Sequence, residues 1–302
     1  DNDSIKKGFD EFNLLEWRRT SKIKRTVKKL VDWKKDSGSS EVVTDNAINW
    51  IKKNRQNKFF LYLHYMELHW PYNPPSPFDH MFDQNYEGSH TFNDLDGGRL
   101  KRGDLLFNNM LSDEERKHSI AHYDGGILYM DSQIARFADF LKNEKLWDES
   151  IIIIVGDHGE HLGEHDFYYQ HVASVYQPSL RTPLIISAPS FGHKKISALT
   201  ETIDIMPTIL DLLDMPSENS IDGKSLLPLI NGTAEKTKNF VFAESGVSLF
   251  KQNKRKYIEG IEGKWRMVTD GKWKLIYIPH PEKGIYELYN LDEDPMEKTN
   301  LV

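Results

Sequence analysis

Residues 151–165 read Ile-Ile-Ile-Ile-Val-Gly-Asp-His-Gly-Glu-His-Leu-Gly-Glu-His, a strongly apolar run followed by six side chains that can bind metal or transfer protons. Four isoleucines and a valine form a β-branched run without alternation, which is typical of a strand buried on both faces of a parallel sheet. Asp157 and His158 follow directly after Gly156. Open α/β sheets bind their ligands at the carboxyl ends of the strands, so the stretch predicts a functional site there.

Four more side chains in the same stretch can bind metal or transfer protons: Glu160, His161, Glu164 and His165. A metal site needs residues that orient its ligands as well as the ligands themselves. We interpret Glu160, His161 and His165 as supporting or loop residues. For His161 and His165 the residues alone leave a ligand role equally open.

Length, charge and cysteine content limit the classes of protein that fit. The 302 residues, 38% of them hydrophobic, suffice for one large α/β domain with a smaller appendage. The net charge of −7 gives no global reason to expect a nucleic-acid partner. The absence of cysteine excludes disulfides, zinc-thiolate sites and a thiol nucleophile within this chain. No apolar run reaches the roughly 18 residues of a transmembrane segment.

The order of predicted elements indicates an α/β core followed by a small antiparallel sheet. Before residue 239, helical spacing alternates with strand-like runs, and helix, loop and strand in that order are half of a βαβ unit. Helices are predicted at three places: after a cap at Thr44, at Ser119–Asn143 and at 201–213. Strands are predicted at 59–65, 151–155 and 182–187. After residue 239, short strand-like pieces are separated by charged and glycine turns. We therefore predict a core at 1–238 and an α+β subdomain at 239–302.

Two segments have no settled role in this prediction. Nine Lys or Arg between residues 17 and 35 fall on a predicted amphipathic helix, which is either a solvated face or a patch for anionic polymers or headgroups. Residues 79–111 lack periodicity and are predicted to form a surface excursion at a substrate entrance. Residue 1 is Asp rather than Met, so we expect the chain to be processed or to be part of a longer one.

Histidines in separate loops complete the predicted site. His69 follows the strand at 59–65 in a loop stiffened by prolines, and His171 precedes the strand at 182–187. His64 lies within a predicted strand and is interpreted as a core residue. Together with Asp157 and a cation, His69, His158 and His171 could offset the charge of a bound oxyanion and protonate a leaving oxygen. These residues predict a phosphate- or sulfate-ester site.

Five segments, in family order, resemble the sulfatases of the alkaline-phosphatase superfamily. They are Gly8-Phe9-Asp10-Glu11-Phe12, Phe59 to Pro75, Tyr123-Asp124-Gly125-Gly126 with Asp131, Gly156-Asp157-His158-Gly159-Glu160, and Glu287-Leu288-Tyr289-Asn290-Leu291 with Asp294-Pro295 and Asn300-Leu301. The resemblance implies an alkaline-phosphatase-like α/β fold, with a mixed, mostly parallel sheet flanked by helices and a small C-terminal antiparallel sheet. It also implies hydrolysis of a sulfate ester of a small molecule or glycan.

The resemblance also implies residue roles. Asp157 and His158 would bind a divalent cation, for which the family favours Ca²⁺, whereas an imidazole ligand suits Mn²⁺ or Zn²⁺. His69 would protonate the leaving oxygen and His171 would contact a sulfate oxygen. Gly159 and Glu160 would shape the loop.

Two family elements are missing: the nucleophile motif, and an acidic pair on the first strand that the resemblance implies for the same metal. Sulfatases carry a Cys/Ser-x-Pro-x-Arg nucleophile motif that is converted to formylglycine, but here Ser187-Ala188-Pro189-Ser190 is followed by Phe191 instead of Arg. We find no nucleophile in this chain and expect formylglycine only in an N-terminal part that precedes it. The chain alone is therefore expected to have no turnover, and that N-terminal segment would be a partner.

The sequence is compatible with three functions. The first is a metal-dependent sulfuric ester hydrolase chain, and the second is a phosphodiester or phosphonate monoester hydrolase of the same superfamily. The third is a non-catalytic protein that uses the basic segment at 17–35 to bind sulfated or acidic glycans.

Overall fold

The structure is a computed structural model that describes residues 9–11, 40–87, 112–171, 174–216, 221–245, 263–280 and 283–302. The α-helices in these ranges are α1 Ser40–Asn54, α2 Asp113–Asn143, α3 Gln177–Leu180, α4 Ile205–Leu212 and α5 Leu227–Asn231. The strands are β1 Ile152–Val155, β2 His161–Leu162, β3 Tyr168–Gln170, β4 Leu184–Ser187, β5 Val241–Glu244, β6 Arg266–Thr269, β7 Trp273–Ile278 and β8 Ile285–Asn290. This mixture of helix and sheet confirms the predicted α/β class, but the predicted mostly parallel sheet is not seen, because every strand pair among the described residues is antiparallel.

The predicted helices that fall within the described residues are present, with different ends. Helix α2 begins at Asp113 rather than Ser119, and three acidic residues occupy its first turn, where a helix N-terminus favours negative charge. The predicted cap Thr44 is wrong, because α1 already begins at Ser40. Thr44 is instead buried inside the helix, and its hydroxyl is hydrogen bonded to the hydroxyl of Tyr65 at 3.0 Å. The polar side chain that looked like a cap therefore holds α1 against the 59–65 segment.

The isoleucine run forms β1, but it does not pair in parallel. β1 pairs antiparallel with β4, with Ile152 opposite Ser187 and Val155 opposite Leu184. The predicted burial on both faces is also wrong: Ile152, Ile153 and Ile154 are only half-buried, and Val155 is 41% exposed. A continuous apolar run predicts a strand but carries no information on the direction of its neighbour, which depends on the path of the intervening chain.

The predicted strand at 59–65 has no ladder partner among the described residues. Exposure alternates along residues 60–65, as it does in an extended chain: Phe60 is 66% and Tyr62 62% exposed, while Leu61, Leu63 and Tyr65 are half-buried. His64 falls on the exposed side, so its interpretation as a core histidine is wrong. The alternation of an extended backbone placed it there.

The chain divides into two compact units: Asp1–Asn93 with Asp113–Trp147, and Asp94–Ser112 with Asp148–Val302. In the first unit α1 packs on α2, and the guanidinium of Arg136 donates to Asp45 at 2.7 Å. The domain boundary predicted after residue 238 lies inside the second unit and stays a prediction. The basic segment at 17–35 and most of the predicted excursion at 79–111 lie outside the described residues.

The second unit contains the C-terminal sheet and one hydrophobic core. Strands β5, β6, β7 and β8 pair antiparallel in that order, which confirms the predicted small antiparallel sheet. The core joins this sheet to Phe167, which precedes β3, and to Val175 and Tyr176, which follow it. Its other members come from the sheet and the residue before β6: Val241, Trp265, Met267, Ile276, Ile278 and Tyr289. The sheet therefore packs directly against the segment that follows the predicted site. No helix in the described ranges has an apolar run long enough to cross a bilayer.

Candidate active site

Asp157 and His158 lie at the carboxyl end of β1, as the sequence predicts. The N–H of Gly156 donates to the carbonyl of Pro183 at 3.1 Å, which holds the chain beside β4 as it leaves the strand. The Asp157 side chain is 79% exposed, and its Oδ1 accepts the backbone N–H of His158 at 3.0 Å. Oδ1 of Asp157 and Nε2 of His158 are 3.6 Å apart. A carboxylate oxygen and a ring nitrogen thus lie side by side on an exposed loop.

The hydrogen bond of the His158 ring determines which nitrogen is available to a ligand. Nδ1 lies 2.8 Å from the carbonyl oxygen of Gly159, and a carbonyl can only accept, so Nδ1 carries the hydrogen. The lone pair of the neutral ring is therefore on Nε2, the nitrogen nearest Asp157. A metal-binding histidine commonly donates its other ring N–H to a carbonyl or carboxylate in this way.

The pair fits part of a cation site. Two ligands that each lie about 2.0–2.5 Å from one ion are separated by about 3–4 Å, which includes the observed distance. Within the described ranges no group of three or more metal-ligating side chains is arranged to hold an ion. The pair could therefore supply two ligands of such a site.

His171 joins this pair. Its ring stacks on His158 with centroids 3.6 Å apart and an interplanar angle of 13°. Its Nδ1 lies 3.3 Å from Oε1 of Glu160, whose side chain is only 4% exposed. The buried carboxylate orients the His171 ring, so the structure brings four of the predicted residues together: Asp157, His158, Glu160 and His171.

His161 and His165 are directed into the core of the second unit. His161 is fully buried, and its Nε2 is hydrogen bonded to the hydroxyl of Ser174 at 2.7 Å. Burial, followed by the positive charge of His165, lowers the pKa of His161 to about 3, so the ring is neutral at neutral pH. His165 has a left-handed backbone (φ 54°) and stacks on Tyr176 with ring centroids 3.7 Å apart. Burial also lowers the pKa of His165.

His69 belongs to the first unit. Its backbone N–H donates to Met66 at 3.1 Å, and its Nδ1 lies 2.7 Å from the carbonyl of Trp70, ahead of a cis peptide bond to Pro71. By the argument used for His158, the Nδ1 of His69 carries the hydrogen. The prediction that His69 shares a pocket with Asp157, His158 and His171 stays a prediction.

Sequence reasoning missed the backbone support beneath the loop. The N–H of Gly159 donates to the carbonyl of Ser179 in α3 at 2.8 Å, and a Cβ on Gly159 would lie 2.0 Å from the carbonyl oxygen of Pro178. Glycine is therefore required at 159 by a close backbone approach. At Gly163, φ is 121°, a backbone conformation that favours glycine.

The family follows from comparison with known proteins. The Sulfatase family model matches residues 1–215, and the model for the C-terminal part of N-sulphoglucosamine sulphohydrolase matches residues 163–302. The chain belongs to the sulfatase family. Members of this family generally use a divalent metal.

Individual relatives agree with this assignment. The chain is 26% identical over 302 residues to Arylsulfatase K of Bos taurus, which covers 90% of this chain and 52% of that protein. It is 28% identical over 195 residues to Choline-sulfatase of Rhizobium meliloti, with coverage of 63% and 34%. The chain thus spans between about a third and about half of these curated relatives.

A solved structure confirms the alkaline-phosphatase-like fold. The phosphonate monoester hydrolase of Agrobacterium radiobacter superposes with a TM-score of 0.69 at 22% identity, covering 87% of this chain and 56% of that one. At this identity the likeness concerns the fold alone.

Proposed function

We propose that this chain supplies cation-binding and sulfate-binding residues to a metal-dependent sulfuric ester hydrolase. The observation that carries the proposal is the cluster at the end of β1: Asp157 Oδ1 and His158 Nε2 lie 3.6 Å apart, and His171 stacks on the His158 ring. The cluster occurs in a member of the sulfatase family.

Asp157 and His158 are the proposed ligands of the cation. The exposed carboxylate offers oxygen ligands, and His158 offers the Nε2 lone pair that its bond to Gly159 leaves available. Carboxylate oxygen together with the family resemblance favours Ca²⁺, while an imidazole ligand also suits Mn²⁺ or Zn²⁺. When bound, the cation offsets the negative charge of the ester oxygens.

His171 and His69 are the proposed sulfate-binding and proton-donating residues. The buried Glu160 carboxylate holds the His171 ring, which would contact a sulfate oxygen. When both of its ring nitrogens carry hydrogen, His69 would give its Nε2 proton to the leaving oxygen. Its bond to the carbonyl of Trp70 keeps the ring in a defined orientation.

The nucleophile is proposed to come from sequence outside this chain. The printed sequence has no Cys/Ser-x-Pro-x-Arg motif, and Ser187 is followed by Phe191 at the position of the arginine. We therefore expect formylglycine on a further segment and no turnover by the 302-residue chain alone. Hydrolysis of an aryl sulfate by the purified chain, abolished by His69→Ala, would contradict this expectation.

Hydrolysis of p-nitrophenyl sulfate by a protein that combines this chain with such a motif tests the proposal. Loss of a positioned proton donor costs about 10²- to 10⁴-fold in rate, so His69→Ala should lower kcat by that factor. His171→Ala should also lower kcat/KM, and chelation of divalent metal should abolish turnover. His193→Ala, at an exposed residue, is the control and should retain the wild-type rate. Unchanged rates in both site variants would contradict the proposal.

The same assay separates the alternative functions. Because the fold is shared with a phosphonate monoester hydrolase, the substrates should include an aryl phosphonate monoester and a phosphodiester beside the sulfate. A kcat/KM that is higher for the phosphorus esters would favour the second function. Binding of heparin without hydrolysis of any ester would favour the glycan binder.

A further inference from the structure

We propose that Glu297 is a positioning residue for the cation ligand His158 and acts on it through the backbone of α3. This inference rests on the proposed function of His158 as a ligand. Nothing in the sequence pattern connects residue 297, near the C-terminus, with a loop that begins at residue 156. The connection is a continuous series of contacts within the second unit.

The series begins with a buried lysine. In β7 the side chains of Lys274, Ile276 and Ile278 are buried on the same face, while Trp273 and Leu275 are exposed. Lys274 thus occupies a core position and is 1% exposed. A buried ammonium group is tolerated only when it is paired, and Glu297, itself buried, forms an ion pair with it.

Glu297 connects this lysine to α3. One carboxylate oxygen faces Lys274, while the other, Oε2, accepts the backbone N–H of Gln177 at 2.7 Å. The backbone of Glu297 is in the left-handed region (φ 55°), which residues with a side chain seldom adopt. Such a conformation persists where the surrounding contacts hold it, as the two contacts of this carboxylate do.

Helix α3 connects Glu297 to the site loop. Gln177 is the first residue of α3, and Ser179 in the same turn accepts the N–H of Gly159 through its carbonyl at 2.8 Å. The backbone of Gly159 also lies so close to the carbonyl of Pro178 that a Cβ there would be 2.0 Å from its oxygen, so the loop and α3 are in direct backbone contact. The position of α3 therefore determines the position of Gly159.

Gly159 in turn determines which ring nitrogen of His158 carries the hydrogen. Its carbonyl accepts the hydrogen of His158 Nδ1 at 2.8 Å, which keeps the lone pair on Nε2 beside Asp157. If α3 moves, the Gly159 carbonyl moves with it, and the ring is released to exchange tautomers and rotate. The Glu297 carboxylate thus helps to keep the ligand nitrogen of His158 in its binding state.

Two double variants isolate this role, because both remove the buried ion pair. K274M/E297Q keeps a side-chain oxygen that can accept the Gln177 N–H, whereas K274M/E297M has none. The measurements are the His158 tautomer by ¹⁵N NMR of the imidazole, Ca²⁺ and Mn²⁺ affinity by calorimetry, and thermal unfolding. K274M/E297Q should retain the Nδ1–H tautomer. K274M/E297M should show mixed tautomers and bind the cation about 10-fold or more weakly.

A third variant removes the donor instead of the acceptor. Gln177→Pro deletes the N–H at the first position of α3, where proline is tolerated, and the extended Tyr176 (ψ 162°) suits a following proline. It leaves the Lys274–Glu297 pair in place. Q177P should reproduce the tautomer mixture of K274M/E297M, and it tests the proposal even if the double variants do not fold.

The control is a second ion pair in the same unit. Lys238 donates to the fully buried Asp204 at 2.7 Å and also pairs with Glu201, and neither acid contacts α3 or the loop in the hydrogen bonds described. Lys238→Met should lower the melting temperature while it leaves the His158 tautomer and cation affinity unchanged. If K274M/E297M and Q177P behave like K238M, Glu297 is a stabilising residue only and the proposal is overturned.

A different set of results would show that the proposed function, rather than the positioning role of Glu297, is wrong. If His158→Ala leaves cation affinity unchanged, His158 is not a ligand and the proposed function is wrong. The tautomer measurement needs no metal, so it still decides whether Glu297 positions the ring. Loss of the Nδ1–H tautomer in K274M/E297M but not in K274M/E297Q would support the positioning role by itself.

Discussion

His158 and His161 are three residues apart but lie in two contrasting regions of the second unit. His158 belongs to an exposed loop with Asp157, and its Nε2 is beside the carboxylate. His161 is fully buried, is hydrogen bonded to Ser174, and is part of the core that carries the loop. A run of metal-capable residues that looks uniform in sequence is therefore divided into an outward-facing loop and a buried support.

The two regions should respond to substitution in opposite ways. Buried polar groups have exchanged water for protein partners, so removing a partner lowers the free energy of unfolding. Side chains on the exposed loop retain most of their hydration and contribute little to stability. Substitutions in the buried support should thus lower the free energy of unfolding, and substitutions in the exposed loop should weaken cation binding. The predictions below test this division in order of decreasing effect on stability.

The largest effect is expected where the two regions meet. Gly159→Ala would bring a Cβ within 2.0 Å of a backbone carbonyl oxygen, that of Pro178, which cannot move without displacing α3. Overpacking of this kind costs about 3 kcal/mol in the free energy of unfolding. Urea unfolding followed by circular dichroism measures it.

A matched glycine provides the control for this prediction. A Cβ on Gly192 would meet nothing within 4 Å, so Gly192→Ala should unfold at the wild-type urea concentration. Equal stability of G159A and G192A would show that the loop is not seated on α3 and would remove the proposed division.

The next effect is acid sensitivity of the buried region. The pKa of His161 is about 3 in the folded protein and about 6.5 in the unfolded chain, so below pH 6.5 the unfolded state binds the additional proton. Keeping the buried His161 ring neutral therefore costs no stability above pH 6.5, but the free energy of unfolding decreases as the pH falls from 6.5 toward 3. Between pH 7 and pH 5 the wild type should lose about 2 kcal/mol more than His161→Gln.

Urea unfolding of both proteins at the two pH values measures this difference. His193→Gln replaces an exposed imidazole and should keep the wild-type pH dependence. If H161Q loses as much stability as the wild type between pH 7 and pH 5, then His161 does not stay neutral in the folded protein.

A smaller effect is expected at the shared carboxylate of Glu287. Tyr176 donates to Oε2 of Glu287 at 2.8 Å, and Tyr289 donates to the same oxygen at 3.0 Å. Because Tyr289 still satisfies the carboxylate, Tyr176→Phe should cost only about 1 kcal/mol. The double variant Y176F/Y289F should cost more than the sum of the single variants, since it leaves the carboxylate without either hydroxyl. Thermal unfolding of the four proteins checks this, and simple additivity would contradict it.

These environments explain how much the sequence predicted. The isoleucine run, the site after it and the small C-terminal sheet all depend on local patterns, and local patterns are what a sequence displays directly. The antiparallel partner of β1 depends on where a segment 30 residues later returns, which no periodicity encodes. The roles of Lys274 and Glu297 were missed for the same reason: a lysine between Trp273 and Leu275 looks like a solvated strand residue until its buried partner is known.

The smallest effect on stability, and the clearest effect on binding, is expected at Asp157. Its side chain is 79% exposed, and its Oδ1 accepts the His158 N–H, which the amide oxygen of Asn can also accept. Asp157→Asn should therefore change the free energy of unfolding by less than about 0.5 kcal/mol. The loss of the negative charge should weaken Ca²⁺ binding by about 10-fold or more, because this cation is held mainly by carboxylate oxygens. Calorimetric titration and urea unfolding of the same sample separate the two quantities.

Asp148→Asn, an exposed acid ahead of β1, is the control and should change neither cation affinity nor the free energy of unfolding. A variant D157N that binds Ca²⁺ as the wild type does would show that the exposed loop is not the cation site, while a large loss of stability would place Asp157 with the buried support.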